Sequence, residues 1–334
     1  MRHFNIPVFI PELACPFRCV YCNQYNITGS CKAPDVAEVE GVILKHLSTI
    51  DSAGNKVEVA FFGGSFTGLE MFMQQRYLEV VQPWIEKGII KGIRISTRPD
   101  YITEEILANL HKMGVTAIEL GAQSLDNEVL KLSGRGHTSD HVKIAARMIK
   151  AMGFELGLQM MTGLPGDSDE KSLQTAREII KLQADTTRIY PTLVIRDTPL
   201  AKLFERGEYK PQSLEEAAGL CARLWVVFHQ AGVKMLRMGL HPSEGFFNGA
   251  TLLAGPFHPA FGELVLTKVW FDRLFPLAQK YQAGKIVIQV NPAELNAAIG
   301  HKARNRLFLE KFCKRVKFIG TPVIQPGKYY VDTY

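Results

Sequence analysis

The sequence predicts an α/β fold: a parallel β-sheet covered by helices, followed by a small α+β C-terminal domain. Three observations carry this expectation. Short β-rich runs alternate strictly with longer amphipathic runs as far as residue 240, the pattern of repeated strand–helix crossovers. The length of 334 residues leaves room for about two domains. The composition, 46% hydrophobic and 22% charged, is that of a globular chain with a sizeable core. It excludes a disordered chain, a collagen-like repeat and a small disulfide scaffold. No stretch approaches the roughly 18 uninterrupted apolar residues of a membrane span. Pro7, Pro11 and Glu12 interrupt the apolar N-terminal run, which reads as a first strand and not as a signal peptide. A cytoplasmic protein is expected.

The elements follow in order. A strand near Pro7–Pro11 leads to a helix over Val36–Thr49. A strand over Val57–Phe62 leads to a helix over Leu69–Ile85. The third pair is Gly92–Ser96 with Thr103–Met113, where Thr103, Glu104 and Glu105 have the composition of a helix start and Gly114 that of a stop. Ala117–Leu120 precedes the helix Asp140–Met152, stopped by Gly153. Phe154–Met160 precedes Glu170–Leu182, and Arg188–Tyr190 precedes Leu214–Gln230. Lys234–Met238 adds a last strand. Six such units fit a barrel or an open doubly wound sheet, and periodicity does not choose between them.

From His241 to Phe261 the pattern breaks into a segment rich in Gly, Pro and aromatics, a boundary or functional loop. A final unit then reads helix (Glu263–Tyr281), strand (Lys285–Val290), helix (Pro292–Ile299), helix (Arg304–Phe312), strand (Val316–Ile319) and strand (Lys328–Val331). The expected divisions are residues 1–240, a connecting segment 241–262, and 263–334. Charge supports this division. The chain has 39 basic and 33 acidic side chains, a net +6, and residues 301–334 hold eight basic and two acidic ones. All the net charge therefore lies in the last tenth of the sequence, either a solvated tail or a patch for an anionic polymer.

Six cysteines are present, and Cys15, Cys19 and Cys22 fall within eight residues. A tight cytoplasmic cysteine cluster more often holds a metal than a disulfide. Three thiolates on a loop after the first strand suit three corners of an iron–sulfur cube, leaving one iron open for chemistry. Two other readings stand beside this one: a structural zinc with Cys31 as fourth ligand, and three unrelated buried cysteines. Cys221 and Cys313 lie in helical patterns and read as core residues.

The spacing CxxxCxxC, with Tyr21 just before the last cysteine, resembles the radical S-adenosylmethionine (SAM) superfamily. The resemblance implies a 4Fe-4S cluster on Cys15, Cys19 and Cys22, with SAM chelating the open iron. It implies reductive cleavage of SAM to a 5′-deoxyadenosyl radical, with the electron coming from a donor such as flavodoxin or ferredoxin.

Polar motifs recur just after the strands, where β/α barrels gather their active sites: Phe62–Phe66, Ser96–Asp100, Leu120–Ser124, Met161–Asp167 and Ile189–Thr192. Gly63 and Gly64 let backbone approach a ligand closely. Gln123 can donate and accept at once, which suits a ribose or amino-acid group. Arg135 can pair with a carboxylate through its planar fork.

The strings GGSFTGL, STRPDYIT, LGAQSLDNEVL, GRGHT and IYPTLVIRDTPLAKLFERGEYKP resemble the radical SAM domain of the Elongator catalytic subunit family. More distantly they resemble oxygen-independent coproporphyrinogen oxidases. The resemblance covers about residues 5–240 and implies a partial (β/α)6 radical SAM barrel. It implies SAM contacts by Gly63, Gly64, Ser65, Ser96, Gln123, Arg135 and Gln159, the last standing where the oxidases hold an Asp. Elongator subunits continue into an acetyltransferase domain. The sequence to Tyr334 leaves no room for a full one, so carboxymethylation of wobble uridine in transfer RNA is not expected to carry over.

The C-terminal unit resembles a KH RNA-binding domain, whose GxxG loop clamps phosphates between two helices. The candidate loop is Gly300-His301-Lys302-Ala303, with Ala303 where the second glycine belongs. The expected RNA contacts are Gly300, His301, Lys302, Arg304 and Arg306, flanked by Lys314, Arg315 and Lys317. The alternative is a small structural unit packed on the barrel. His241, Glu244, His258 and Glu263 match no standard metal spacing, and His241 or His258 is a candidate for substrate contact. The expected function is a radical SAM enzyme acting on transfer or ribosomal RNA. A radical SAM enzyme acting on a small molecule such as a tetrapyrrole and a zinc-stabilised RNA-binding protein without catalysis are the alternatives.

Overall fold

Alternate residues of the strands are apolar, and this pattern decides the architecture. The computed structural model describes residues 3–11, 19–23, 33–52, 54–240 and 244–333, the side chain of Glu244 aside. Strands β1 (His3–Ile10), β2 (Lys56–Gly63), β3 (Gly92–Thr97), β4 (Val115–Gln123), β5 (Glu155–Thr162) and β6 (Thr186–Pro191) are followed by the short β7 (Val194–Ile195) and by β8 (Lys234–Met238). One seven-stranded sheet has the order β1-β2-β3-β4-β5-β6-β8, and every neighbouring pair is parallel. A doubly wound sheet reverses its strand order at a switch point. This one never reverses, so the barrel reading holds. Among the described residues β8 and β1 are the two edges of the sheet, so the barrel is open there.

The helices are α1 (Val36–Leu47), α2 (Met71–Glu79), α3 (Gln82–Glu86), α4 (Glu104–Lys112), α5 (Asn127–Leu132), α6 (Ser139–Ala151), α7 (Asp169–Lys181), α8 (Pro199–Glu205) and α9 (Leu214–Gln230). Their starts are chemically marked. Asp35 and Glu38 form a capping box on α1, and Ser213 and Glu216 form another on α9. Thr103 caps α4, as the sequence predicts. The single helix expected over Leu69–Ile85 is two, because Pro83 lacks an N–H and can sit only in the first turn of a new helix, α3.

One large core joins Ile6, Val8, Ile10, Val57, Val59, Ile93, Ile95, Ile118, Leu120, Leu156 and Leu158 to the inward faces of the helices. The intervening strand residues point the other way, into the barrel. They include Glu58, Arg94, Glu119, Gln159 and Arg188, so the inner wall is polar.

The 241–262 segment carries α10 (Glu244–Phe247) and β9 (Leu252–Ala254). It is more than a connection, since β9 pairs antiparallel with β7. Then α11 (Phe261–Lys280) belongs to two cores at once. Phe261, Val265 and Val269 pack into the barrel core, while Trp270, Leu274, Leu277 and Ala278 pack into a second core. That second core is completed by β10 (Lys285–Val290), α12 (Leu295–Ile299), α13 (Arg304–Leu309), β11 (Arg315–Gly320) and β12 (Tyr329–Thr333). β10 is central, parallel to β11 and antiparallel to β12. Among the described residues no helix is long and apolar enough to cross a membrane.

Candidate functional site

The cysteine loop lies at the C-terminal ends of the strands. Of its members Cys19, Tyr21 and Cys22 are described, while Cys15 and also Cys31 lie outside the described residues. Backbone hydrogen bonds hold the loop. The Val20 N–H donates to Ser133 O at 3.1 Å, Val20 O accepts from the Leu200 N–H at 2.8 Å, and the Cys22 N–H donates to Cys19 O at 3.0 Å. The Tyr21 ring packs on Val129, Met161 and Leu164. Burial raises the Tyr21 phenol well above its ordinary range, so it stays protonated.

Arg135 is buried and meets this loop with its guanidinium. Nη1 lies 3.1 Å from Cys19 Sγ and 3.4 Å from Tyr21 Oη, and Nη2 donates to Gly121 O at 2.6 Å. Its own carbonyl accepts from Arg98 Nη2 at 2.6 Å. Arg98 is gripped in turn by both oxygens of Asp100 at 2.9 Å. The chain Asp100–Arg98–Arg135–Cys19 thus fixes the sulfur to β3 and β4. Burial and the two guanidiniums push the neighbouring His137 down to about 3, so this imidazole is neutral. Among the described residues no carboxylate pairs with Arg135. Its charge faces the sulfurs, and such a field suits thiolate ligands.

Gly63 ends β2 with φ +114°, and a Cβ there would lie 2.2 Å from Ile10 O. The Gly64 N–H donates to Ile10 O at 2.7 Å, closing the turn against the end of β1. The Ser65 hydroxyl is committed inside the protein. It meets Thr97 Oγ1 at 2.8 Å and accepts from the Arg98 N–H at 3.2 Å, and Thr67 joins the same threonine at 2.6 Å. Ser65 therefore braces the glycine turn. Gln123 sits where the β4–β5 register shifts, with φ +64°. Such a bulge re-aims a side chain, and the buried Gln123 Oε1 has no partner among the described residues.

Gln159 lies deeper in the barrel. Its Nε2 donates to Glu119 Oε2 at 2.9 Å and approaches Ser96 Oγ at 3.4 Å. Glu119 accepts two bonds from Arg188, at 2.6 and 3.1 Å, and lies 3.5 Å from Arg94. The Arg188 guanidinium also stacks on the Phe62 ring at 5.1 Å. Sequence reasoning missed Arg98, Glu119 and Arg188. Arg98 stands within the Ser96–Asp100 motif. Glu119, between Ile118 and Leu120, carries a visible signal, a charge between apolar neighbours in a buried strand; Arg188, between Thr187 and Ile189, carries a weaker one.

The residues fit the implied groups. Cys19 and Cys22 stand on one turn, joined by the Cys22 N–H to Cys19 O bond, and neither is in a disulfide. The orphaned Gln123 Oε1 and an Arg135 Nε without a partner among the described residues are unused polar capacity at the same strand ends. By contrast Cys221 and Cys313 are buried core thiols, as expected, with burial pushing Cys221 up to about 12.

The residues expected to meet RNA form a separate group. Gly300, His301, Lys302 and Ala303 do make a loop between α12 and α13, with Lys302 and Ala303 both in the left-handed region at φ +51° and +59°. The loop is clasped to α11: the His301 N–H donates to Thr267 Oγ1 at 2.8 Å, and Asn305 Nδ2 to Thr267 O at 3.0 Å. His301 also meets Glu263 at 3.2 Å and the His258 ring edge-on at 5.4 Å. Arg304 lies 3.8 Å from Glu215 at the start of α9, and Arg306 lies 3.8 Å from Glu310. His241 and the side chain of Glu244 lie outside the described residues.

Comparison with known proteins identifies the family and the fold. The model of the radical SAM superfamily matches residues 10–179, and that of the radical SAM C-terminal domain matches 184–270. The tRNA uridine(34) acetyltransferase of Methanocaldococcus infernus is 32% identical over 194 residues, 52% of this chain and 36% of that protein. Elongator complex protein 3 of Saccharomyces cerevisiae is 30% identical over 201 residues, 54% of this chain and 36% of that protein. The chain thus spans about a third of the length of these relatives. Among solved structures, the archaeal Elp3 of Methanocaldococcus infernus with an N-terminal deletion superposes with a TM-score of 0.62 at 24% identity, covering 82% of this chain and 63% of that one. The Streptococcus suis protein SuiB follows at 0.51 and 16%, covering 71% and 49%. Both show the same fold.

Proposed function

The chain belongs to the radical SAM superfamily, and from that premise we propose that it is an enzyme modifying RNA, with transfer RNA as the first candidate. One observation carries the site assignment: the buried Arg135 ties the Cys19 sulfur to the end of β4 beside the unpartnered Gln123 oxygen. In this reading Cys15, Cys19 and Cys22 hold a 4Fe-4S cluster. The cluster and SAM together would supply one-electron reductive cleavage of the sulfonium into methionine and a 5′-deoxyadenosyl radical capable of hydrogen-atom abstraction, the electron coming from a donor of the flavodoxin or ferredoxin class.

The protein's own residues bind and orient. The Gly63–Gly64 turn offers backbone to the amino-acid end of SAM, Gln123 to a hydroxyl or amino group, and Arg135 to a carboxylate. Ser65 acts by bracing that turn. Ser96 and Gln159 line the wall below, where Glu119 and Arg188 are held rigid by mutual hydrogen bonds. Thiolate ligands suit a reducing, cytoplasmic compartment.

RNA as the substrate class rests on the relatives named for tRNA uridine and on the basic C-terminal unit. Acetyl transfer, named for those longer relatives, is no part of this reading. The test is an anaerobic incubation of reconstituted protein with SAM, reductant and either transfer RNA or ribosomal RNA, followed by mass spectrometry of digested nucleosides. A mass change in one nucleoside, absent without SAM, is expected. Turnover stimulated by a small molecule and unaffected by RNA would overturn the assignment.

A further inference from the structure

We propose that the C-terminal unit holds unpaired RNA on an exposed phenylalanine ladder, with the phosphates in the basic cleft beside it; this rests on the RNA reading above. Helix α11 places Lys268, Phe271 and Phe275 at helical spacing on one face, and α13 with its following turn places Phe308 and Phe312 against them. The rings form a continuous series. Phe271 meets Phe275 at 5.7 Å and Phe308 at 4.9 Å, Phe275 stacks on Phe308 at 5.6 Å and 23°, and Phe308 meets Phe312 at 5.3 Å.

The ladder lies at the edge of the second core: Phe271 is half-buried and Phe308 packs against that core, while the outer rings reach solvent. Phe275 is 46% exposed, Phe312 40% and the adjacent Leu307 52%. Scattered exposed apolar side chains are ordinary, whereas a contiguous patch with a polar rim marks an interaction surface.

The rim identifies the partner by its sign. Lys268 Nζ lies 5.3 Å from the Phe271 ring centroid. A cavity of about 580 Å³ opens beside that ring; Lys268, Lys302 and Arg304 stand around an otherwise largely apolar lining that includes Leu214, Leu264 and the acid Glu215. The acids nearby are paired with the cations: Asp272 with Lys268, Glu263 with His301, Glu215 with Arg304 and Glu310 with Arg306, which leaves Lys302 as the cleft's unpaired cation among the described residues. Among the described residues Lys302, Lys311 and Lys314 have no carboxylate partner; Arg315 and Lys317 have none either, but they alternate with the buried Val316 and face the other side of the sheet. They belong to the stretch that carries all of the net charge. Aromatic rings interleaved with cations form a platform for single-stranded nucleic acid, since every base has a stacking face and every phosphate a charge. A duplex hides those faces.

Position agrees with this role. Leu214 and Glu215, the first residues of α9, line the same cleft. A helix that follows a barrel strand begins at the strand's C-terminal end, the end that carries the cysteine loop. Unpaired RNA held in the cleft therefore lies at the rim of the barrel mouth.

The test is fluorescence anisotropy of a labelled RNA hairpin with an unpaired loop, against the same length of RNA fully duplexed, over a range of salt. Phe275→Ala and Phe312→Ala remove exposed rings, and thermal unfolding confirms that the variants are folded. Together they should weaken hairpin binding roughly tenfold or more while leaving the salt slope unchanged. Lys302→Glu with Arg304→Glu should weaken binding and flatten the slope by about one for each phosphate that is no longer neutralised. Wild-type affinity in the phenylalanine variants, or equal affinity for duplex and hairpin, overturns the ladder while the RNA reading survives. A wild-type protein that binds neither RNA overturns both. A concentration-dependent dimer abolished by Phe275→Ala would instead give this face to a second copy of the chain.

Discussion

Arg135 touches the Cys19 sulfur, the Tyr21 hydroxyl and the Gly121 carbonyl with one planar group. Lysine is a point charge and cannot span these partners. Arg135→Lys should therefore lower SAM affinity about tenfold, the worth of one or two charge-assisted hydrogen bonds. Calorimetric titration of reconstituted protein checks this, and wild-type affinity would remove Arg135 from the site. A loop motif, Ser-Gly-Arg-Gly-His, was enough to single out this residue. It could not disclose Arg98, whose hold on the Arg135 carbonyl joins positions 37 apart in the chain. Glu58 makes a second prediction at this scale. It is fully buried against Arg94, Lys56 and His3. Burial raises its pKa, but the hydrogen bond from Lys56 and the charge of Arg94 outweigh burial and hold it at about 2. Its folded value lies below its unfolded one, so its contribution is complete above about pH 4.5 and is lost as pH falls towards 2. Glu58→Gln should cost about 3 to 5 kcal/mol at neutral pH, because Arg94 stays buried with less compensation. Urea unfolding across that window should give a flatter profile for the variant, and parallel profiles would refute the role.

At the scale of elements, β1 and β2 meet so closely at Gly63 that a Cβ would sit 2.2 Å from Ile10 O. Gly63→Ala must part the strand ends or leave φ +114°, at about 1–3 kcal/mol. Its melting temperature should fall, and SAM binding should weaken because the Gly64 turn moves with the strand. An unaltered melting temperature would mean that the strands can part freely here. Helix starts were legible from Thr103 and its acidic neighbours, because capping is local chemistry. The break at Pro83 was legible too, but the amphipathic run on either side masked it. The polar inner wall was written in the strands as well. Ile93-Arg94-Ile95, Ile118-Glu119-Leu120 and Thr187-Arg188-Ile189 each set a charge between two residues that face the helices. The choice between a barrel and a doubly wound sheet came from the strand order; with the sheet in place, these charges account for its polar inner face.

At the scale of the whole molecule, one helix joins both cores. The first half of α11 seals the barrel and the second half carries the C-terminal unit. Motif order placed the site at the strand ends because a parallel sheet delivers every strand's C-terminus to one edge. It left unread how the C-terminal unit sits, since α11 reads as one amphipathic helix whichever core it meets. The phenylalanine ladder was equally hidden: Phe271 and Phe275 look like core positions until α13 is placed beside them. The assignment of the strand-end site to a cluster and SAM is decided by one experiment. Wild-type protein, Cys19→Ala and Cys22→Ala are reconstituted anaerobically with iron and sulfide, then given dithionite and SAM. Wild type should take up iron and form 5′-deoxyadenosine, and both variants should form none. A colourless wild-type protein that holds zinc and leaves SAM intact would show that this site does other chemistry.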